Sequence, residues 1–253
     1  MARRFEDRQV IVTGAAGGLG RGIALGFARE GAKLILVDID EVGMTETAAQ
    51  IAALGSTSSS HRLDLMNEAE IIAFGKKISV EHERIDVLIN NAGLAYGEIS
   101  SSFELLSMEK WLRFFAINSV APLILAQAIR APLAKARGVI VNQSSMASYV
   151  PANAYGVTKA TLNSMTYGMA NVFAADGIRV NAVAPGIMET PANMVGLTPE
   201  TYARVQGMQL LKLHGTAEDI VNLHLFLASD DARFITCEIV SCDAGNRLKG
   251  WRG

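Results

Sequence analysis

Short apolar runs alternate along the chain with longer stretches whose apolar residues recur at helical spacing. Residues 9–13, 33–38, 85–90, 138–142 and 178–183 are apolar almost throughout, as strands buried on both faces must be. A short third strand is expected near residues 62–63, after a polar connector at 56–61, and a last strand over 238–241. Helical spacing predicts helices over 20–29, 41–54, 67–81, 108–134, 154–174 and 216–228, with Pro122 bending the fourth. This order predicts an α/β fold, a doubly wound parallel sheet in three α/β/α layers. No repeat, low-complexity tract or linker divides the 253 residues, so they read as a single domain. Residues 186–213 lack a clear period and leave the carboxyl end of the sixth strand. Ligands sit beyond such ends, so this connection is expected to be a substrate-binding loop or lid within the domain.

Composition narrows the class. Half of the residues are hydrophobic, which raises the question of a membrane. The best spanning candidate, 116–129, is short and carries Asn118, Ser119, Pro122 and Gln127. No apolar signal core follows the first eight residues. A soluble, cytoplasmic protein is therefore expected, with no membrane partner. The net charge of −2 argues against a nucleic-acid partner. The two cysteines, Cys237 and Cys242, cannot form a disulfide scaffold, and four scattered histidines suggest no metal site.

Chemistry is concentrated after the strands. Thr13-Gly-Ala-Ala-Gly-Gly-Leu-Gly20 joins the first strand to a helix. Glycine permits a sharp turn and close approach of the backbone, and the helix N-terminus offers N–H groups to a pyrophosphate. Asp38 ends the second strand, where a carboxylate accepts from both hydroxyls of an adenosine ribose and repels a 2′-phosphate. That pattern points to a dinucleotide, NAD rather than NADP; the plainer reading is a tight turn and a helix cap.

Among the five tyrosines, only Tyr155 has a lysine four residues on, Lys159. On a helix the two share a face, and a nearby ammonium favours the phenolate. Such a phenol, moved toward neutrality, can exchange a proton with an alcohol or carbonyl. Tyr-x-x-x-Lys alone is a common spacing on helix surfaces. Here Gln143-Ser-Ser145 precedes it at the end of the fifth strand, Asn90-Asn-Ala-Gly93 ends the fourth, and Asn118 interrupts an apolar helix. Pro185-Gly186 closes the sixth strand, followed by Thr190.

With these motifs in this order, the sequence resembles the short-chain dehydrogenase/reductase family, in its branch of about 250 residues, over nearly the whole chain. The resemblance implies a Rossmann-like fold and a catalytic set of Asn118, Ser145, Tyr155 and Lys159. Tyr155 would be the general acid/base and Ser145 would hold the substrate oxygen. Lys159 would bind the nicotinamide ribose and lower the tyrosine pKa, and Asn118 would support a proton-relay water. The implied cofactor contacts are Gly14, Ala16, Gly17, Gly18, Leu19 and Gly20 in the turn, then Asp38 and Ile39, and Asp64 and Leu65 on the adenine side. They continue through Asn91, Ala92 and Gly93, Tyr155 and Lys159, and then Pro185, Gly186, Met188 and Thr190. NADP-preferring members often carry a basic residue where Gly17 stands and an Arg where Ile39 stands, so NAD is expected. A homotetramer, with the two long helices at one interface, is also implied.

Two departures bear on the site. Ser145 and Tyr155 are ten residues apart, where the family usually has 13, so the intervening loop is shorter. Ser145 is retained because strand position should fix it, with Ser144 and Ser148 as substitutes. Asp243-Ala244-Gly245 replaces Asp-Gly-Gly. The expected substrate pocket is Ser145, Ala147, Tyr149, Met188 and Met194. Met188, Met194 and Met208 in the long connection suggest an adaptable, apolar cavity for a small apolar or aromatic ketone or secondary alcohol. Two rivals remain: an NADPH-linked acyl-chain ketoreductase, disfavoured by Asp38 and by Asp176 where a basic residue would meet a carrier protein, and a non-catalytic dinucleotide sensor.

Overall fold

The computed structural model describes residues 3–94, 103–189 and 198–246. Its strands are β1 (Gln9–Thr13), β2 (Lys33–Asp38), β3 (Ser58–Arg62), β4 (Val87–Asn90), β5 (Val139–Gln143), β6 (Arg179–Pro185) and β7 (Ile239–Cys242). They form one parallel sheet in the order β3-β2-β1-β4-β5-β6-β7. The helices are α1 (Gly18–Arg29), α2 (Glu41–Ala53), α3 (Glu68–Glu81), α4 (Met108–Phe115), α5 (Ala121–Ala128), α6 (Arg130–Ala136), α7 (Ala154–Phe173), α8 (Pro199–Gly207) and α9 (Ala217–Ala228).

The uninterrupted apolar strands are explained by burial on both sides. Val10, Val12, Leu34, Leu36, Val139 and Val141 pack on one face with Ile23 and Phe27 of α1 and Ile220 and Leu225 of α9. Ile11, Ile35, Leu88 and Ile140 pack on the other with Ile71 and Phe74 of α3, Leu125 of α5 and Phe173 of α7. The chain moves outward from β1 through β2 to β3, then returns to add β4 on the other side of β1. The carboxyl ends of β1 and β4 therefore flank the crevice where the winding reverses, the ligand position of such sheets.

Three elements differ from the sequence expectation. α8 is a helix within the connection 186–213, which is expected to be irregular. β3 occupies most of the expected polar connector, because an exposed edge strand has no need of an apolar run. The expected helix over 108–134 is broken by a π-helical turn at Ala116–Val120. Pro122 heads the next segment instead of bending a continuous helix, and it has no N–H to give the Asn118 carbonyl four residues back. The segment Met108–Ala128 has the length and mean hydropathy, 1.3, that a membrane span could have. Here its buried residues, Phe114, Leu125 and Ala126 among them, belong to the domain core.

Candidate active site

Thr13 joins the two strands that flank the crevice. Its hydroxyl donates to the Ile89 carbonyl and accepts from the N–H groups of Asn91 and Ala92. The Asn91 amide donates in turn to the carbonyls of Thr13 and Gly14. Gly14 has φ +68°, and a Cβ there would lie 2.9 Å from the Ala92 backbone; at Gly20 it would lie 1.9 Å from the Gly14 carbonyl oxygen. Glycine is required at both. Gly17 and Gly18 face open space, and no side chain caps the start of α1 beside Leu19. The first N–H groups of that helix are thus left for an anion, which fits a pyrophosphate.

A cavity of about 500 Å³ runs beside this turn, lined by residues including Gly14, Asp38, Ile39, Asp64, Leu65, Ala92, Gly93 and Arg113. Asp38 is fixed at its edge. One carboxylate oxygen accepts from Ala16 N–H at 2.9 Å; the other accepts from Ile39 and Asp40 N–H. The first oxygen keeps a lone pair for a further donor, whereas the second already has two donors. Arg62 pairs with Asp38 in register but lines a separate groove with His61 and Lys77.

The catalytic candidates meet at the carboxyl end of β5. The Ser145 hydroxyl lies near enough to the Tyr155 phenol to lower its pKa. Lys159 Nζ lies 5.6 Å from the centre of the Tyr155 ring and donates to the Gln143 carbonyl at 2.6 Å. Gly93 lies between Lys159 and Asn118: a Cβ there would be 3.4 Å from the ammonium and 3.0 Å from the Asn118 amide oxygen. That amide is held firmly, accepting from Leu94 N–H and donating to the Leu94 carbonyl and Thr158 hydroxyl. A π turn projects Asn118 inward, as such turns often do at functional sites.

The serine question has a geometric answer. Ser144 donates to Asn163 at 2.6 Å, and Asn163 donates to Ser148. Both substitutes are thus engaged with α7, while Ser145 faces Tyr155. The short loop is taken up by a tight 3₁₀ turn, Met146–Ser148, capped by Ser145 itself, and by Asn153 capping α7. Asn163 and Thr158 went unread in the sequence; their signal was a polar residue amid apolar helix positions.

The electrostatics differ from expectation. Burial raises the Tyr155 phenol above its ordinary value of 10, offset in part by the Ser145 hydroxyl. Burial also pulls Lys159 down to about 8. The protein's own groups therefore do not move the phenol toward neutrality, because desolvation outweighs the effect of Ser145.

Other expected residues are spread more widely. Ala147 and the half-buried Tyr149 sit on the turn that follows Ser145, and Tyr149 accepts from Ser241. Pro185 ends β6, and Gly186 packs against Asp243, where a Cβ would meet the Asp243 Cα at 2.7 Å. Met188 packs into the core against Gly215. Thr190 and Met194 lie outside the described residues. Among the described residues no cluster of His, Cys, Asp or Glu could hold a metal.

A crevice at the sheet reversal, a glycine turn and a Ser-Tyr-Lys group define a dinucleotide-dependent oxidoreductase. The chain belongs to the short-chain dehydrogenase/reductase family: a family model described as enoyl-(acyl carrier protein) reductase matches residues 14–247. It is 33% identical over 258 residues to galactitol 2-dehydrogenase of Agrobacterium fabrum, covering 96% of this chain and 98% of that one. A 7α-hydroxysteroid dehydrogenase solved with NADH and 7-oxo glycochenodeoxycholic acid superimposes with TM-score 0.88 at 29% identity, covering 96% of each chain. A Beutenbergia cavernae structure holding NADP at low occupancy superimposes with TM-score 0.89 at 28% identity, covering 98% of this chain and all of that one.

Proposed function

We propose that this chain is an NAD-dependent, cytoplasmic dehydrogenase that interconverts a secondary alcohol and a ketone, with Tyr155 as general acid/base. The observation that carries the reading is the Ser145–Tyr155 hydroxyl pair beside the buried Lys159. The nicotinamide, when bound, supplies or accepts the hydride. Ser145 holds the substrate oxygen against Tyr155, which gives its proton to a ketone or takes one from an alcohol. Lys159 holds ribose hydroxyls, and Asn118 supports the proton's exit to water. The glycine turn would hold the pyrophosphate, Asp38 the adenosine ribose, Asp64 and Leu65 the adenine side, and Gly186 the nicotinamide side. The connection over 186–213, of which 190–197 lie outside the described residues, would serve as the substrate lid.

NAD is favoured by Asp38, since a 2′-phosphate would bring a second negative charge against a carboxylate already fixed by three backbone N–H groups. The residues that β2 and the turn after it contribute to the cavity, Val37, Asp38 and Ile39, include no cation to offset it. Initial rates with NAD⁺ and NADP⁺ side by side, over a panel of secondary alcohols, test the assignment. NAD⁺ should be preferred, and Asp38→Ala should narrow that preference by about tenfold or more; an unchanged ratio would defeat the cofactor assignment.

Ala147 and Tyr149 beside Ser145 favour a small apolar or aromatic substrate. A carrier-protein partner is disfavoured, because Asp176 places a carboxylate, paired with Arg130, where a basic residue would be wanted. A homotetramer fits the apolar side chains left exposed on the long helices: Leu112 and Val120 on one, Tyr167 and Val172 on the other.

A further inference from the structure

Gln143 occupies an unusual place for an amide. It ends β5, a strand otherwise made of Val139, Ile140, Val141 and Asn142, and it is 6% exposed. Its main-chain carbonyl receives the Lys159 ammonium. Its side-chain oxygen Oε1 is buried and has no hydrogen-bond partner. Asn90 and Asn142, one step back on the same two strands, bond to each other, and Asn142 also donates to Thr166. An unmet acceptor among met ones is a costly feature unless something supplies a donor.

The strand pleat gives the direction. Val139 and Val141 lie on the sheet face that carries α1, and Gln143 follows at the same alternation. Ser144, the next residue, turns the opposite way to Asn163 of α7. The register Asn90↔Asn142 sets Gln143 beside residue 91, and the Asn91 amide on that side bonds the glycine turn. Along the carboxyl edge the order is thus glycine turn, Asn91, Gln143, with Lys159 held on the Gln143 backbone. A dinucleotide running from Asp38 toward Tyr155 would bring its nicotinamide end to this edge.

We infer that Gln143 is a positioning residue for the cofactor, its Oε1 accepting a hydrogen bond from the carboxamide N–H of the nicotinamide ring. The inference rests on the NAD reading above. It gives the buried amide a function: an apolar residue would fill the same volume, whereas the acceptor fixes the ring about its glycosidic bond and so decides which face meets the substrate.

The test uses the full chain and two probes: NAD⁺, and 3-acetylpyridine adenine dinucleotide, in which a methyl group replaces the carboxamide nitrogen and no N–H remains. Dissociation constants are measured by calorimetry for the native protein, Gln143→Leu and Gln143→Met, without substrate. Thermal melting checks that each variant is folded, and Met keeps the length of the side chain if Leu packs badly. Both variants are expected to bind NAD⁺ about fivefold more weakly than the native protein and the acetyl analogue about equally well, the difference of one hydrogen bond. Equal weakening for both probes would assign Gln143 to packing and overturn the inference, as would unchanged NAD⁺ affinity. A native protein that binds neither probe would overturn the NAD reading itself, a result distinct from either.

Discussion

Lys159 is the residue on which stability and activity pull apart. Its ammonium is 3% exposed and sits on a single carbonyl. With a folded-state value of about 8 against an ordinary 10.5, keeping it charged costs the fold roughly 3 kcal/mol below pH 8. The sign follows from proton binding. Between those two values the unfolded chain holds the proton more tightly, so stability rises with pH and the penalty is gone above 10.5. Lys159→Met is therefore expected to unfold at higher urea than the native protein at pH 7, with the gap closing by pH 10.5, while turnover is lost. A variant less stable at pH 7 would contradict this. Of the site residues, Tyr155 and Lys159 were legible because helix spacing fixes their shared face. The raised phenol was not, because desolvation depends on neighbours distant in sequence. Strand position is what favours Ser145 over Ser144 and Ser148 in the sequence, and Asn163 engages the other two hydroxyls.

At the scale of elements, the apolar strands were readable to within a residue or two, since burial on both faces leaves one pattern available. β3, expected near residues 62–63, begins earlier, at Ser58, because its place at the sheet edge lets it be polar. The break near Asn118 was expected at Pro122 but lies before it. The missing N–H of a proline acts on the preceding turn, where the helix widens to a π turn. α9 carries an acid-sensitive group. His224 is fully buried, its Nδ1 pairs with the Ile220 carbonyl, and its Nε2 has no partner. Burial lowers its pKa to about 4 from 6.5. Below pH 6.5 the unfolded chain gains a proton that the folded one refuses, so up to roughly 3 kcal/mol of stability is lost as pH falls to 4. In His224→Leu the urea midpoint should fall less between pH 7 and pH 4.5 than in the native protein. Parallel decreases would show that other groups set the acid limit.

For the whole molecule, one sheet accounts for both the composition and the site. Half the residues are apolar because the sheet is covered on both faces. The site lies where β1 and β4 part, and Thr13 ties their ends together. The order of motifs made this fold readable in the sequence; the bonds that Asn91 makes to the glycine turn and Asn163 to Ser144 and Ser148 were not, since they join residues far apart in the chain. Dinucleotide binding and proton transfer fall to separate groups of one crevice under the proposed function. Tyr155→Phe separates them, because it removes the hydroxyl beside Ser145 and leaves the glycine turn and Asp38 intact. The deciding measurement is NADH binding and steady-state turnover of this variant beside the native protein, with a secondary alcohol that the native protein oxidises. NADH affinity is expected to stay within about threefold while kcat falls at least about a hundredfold. Turnover near the native rate would contradict the assignment of Tyr155 as the acid/base.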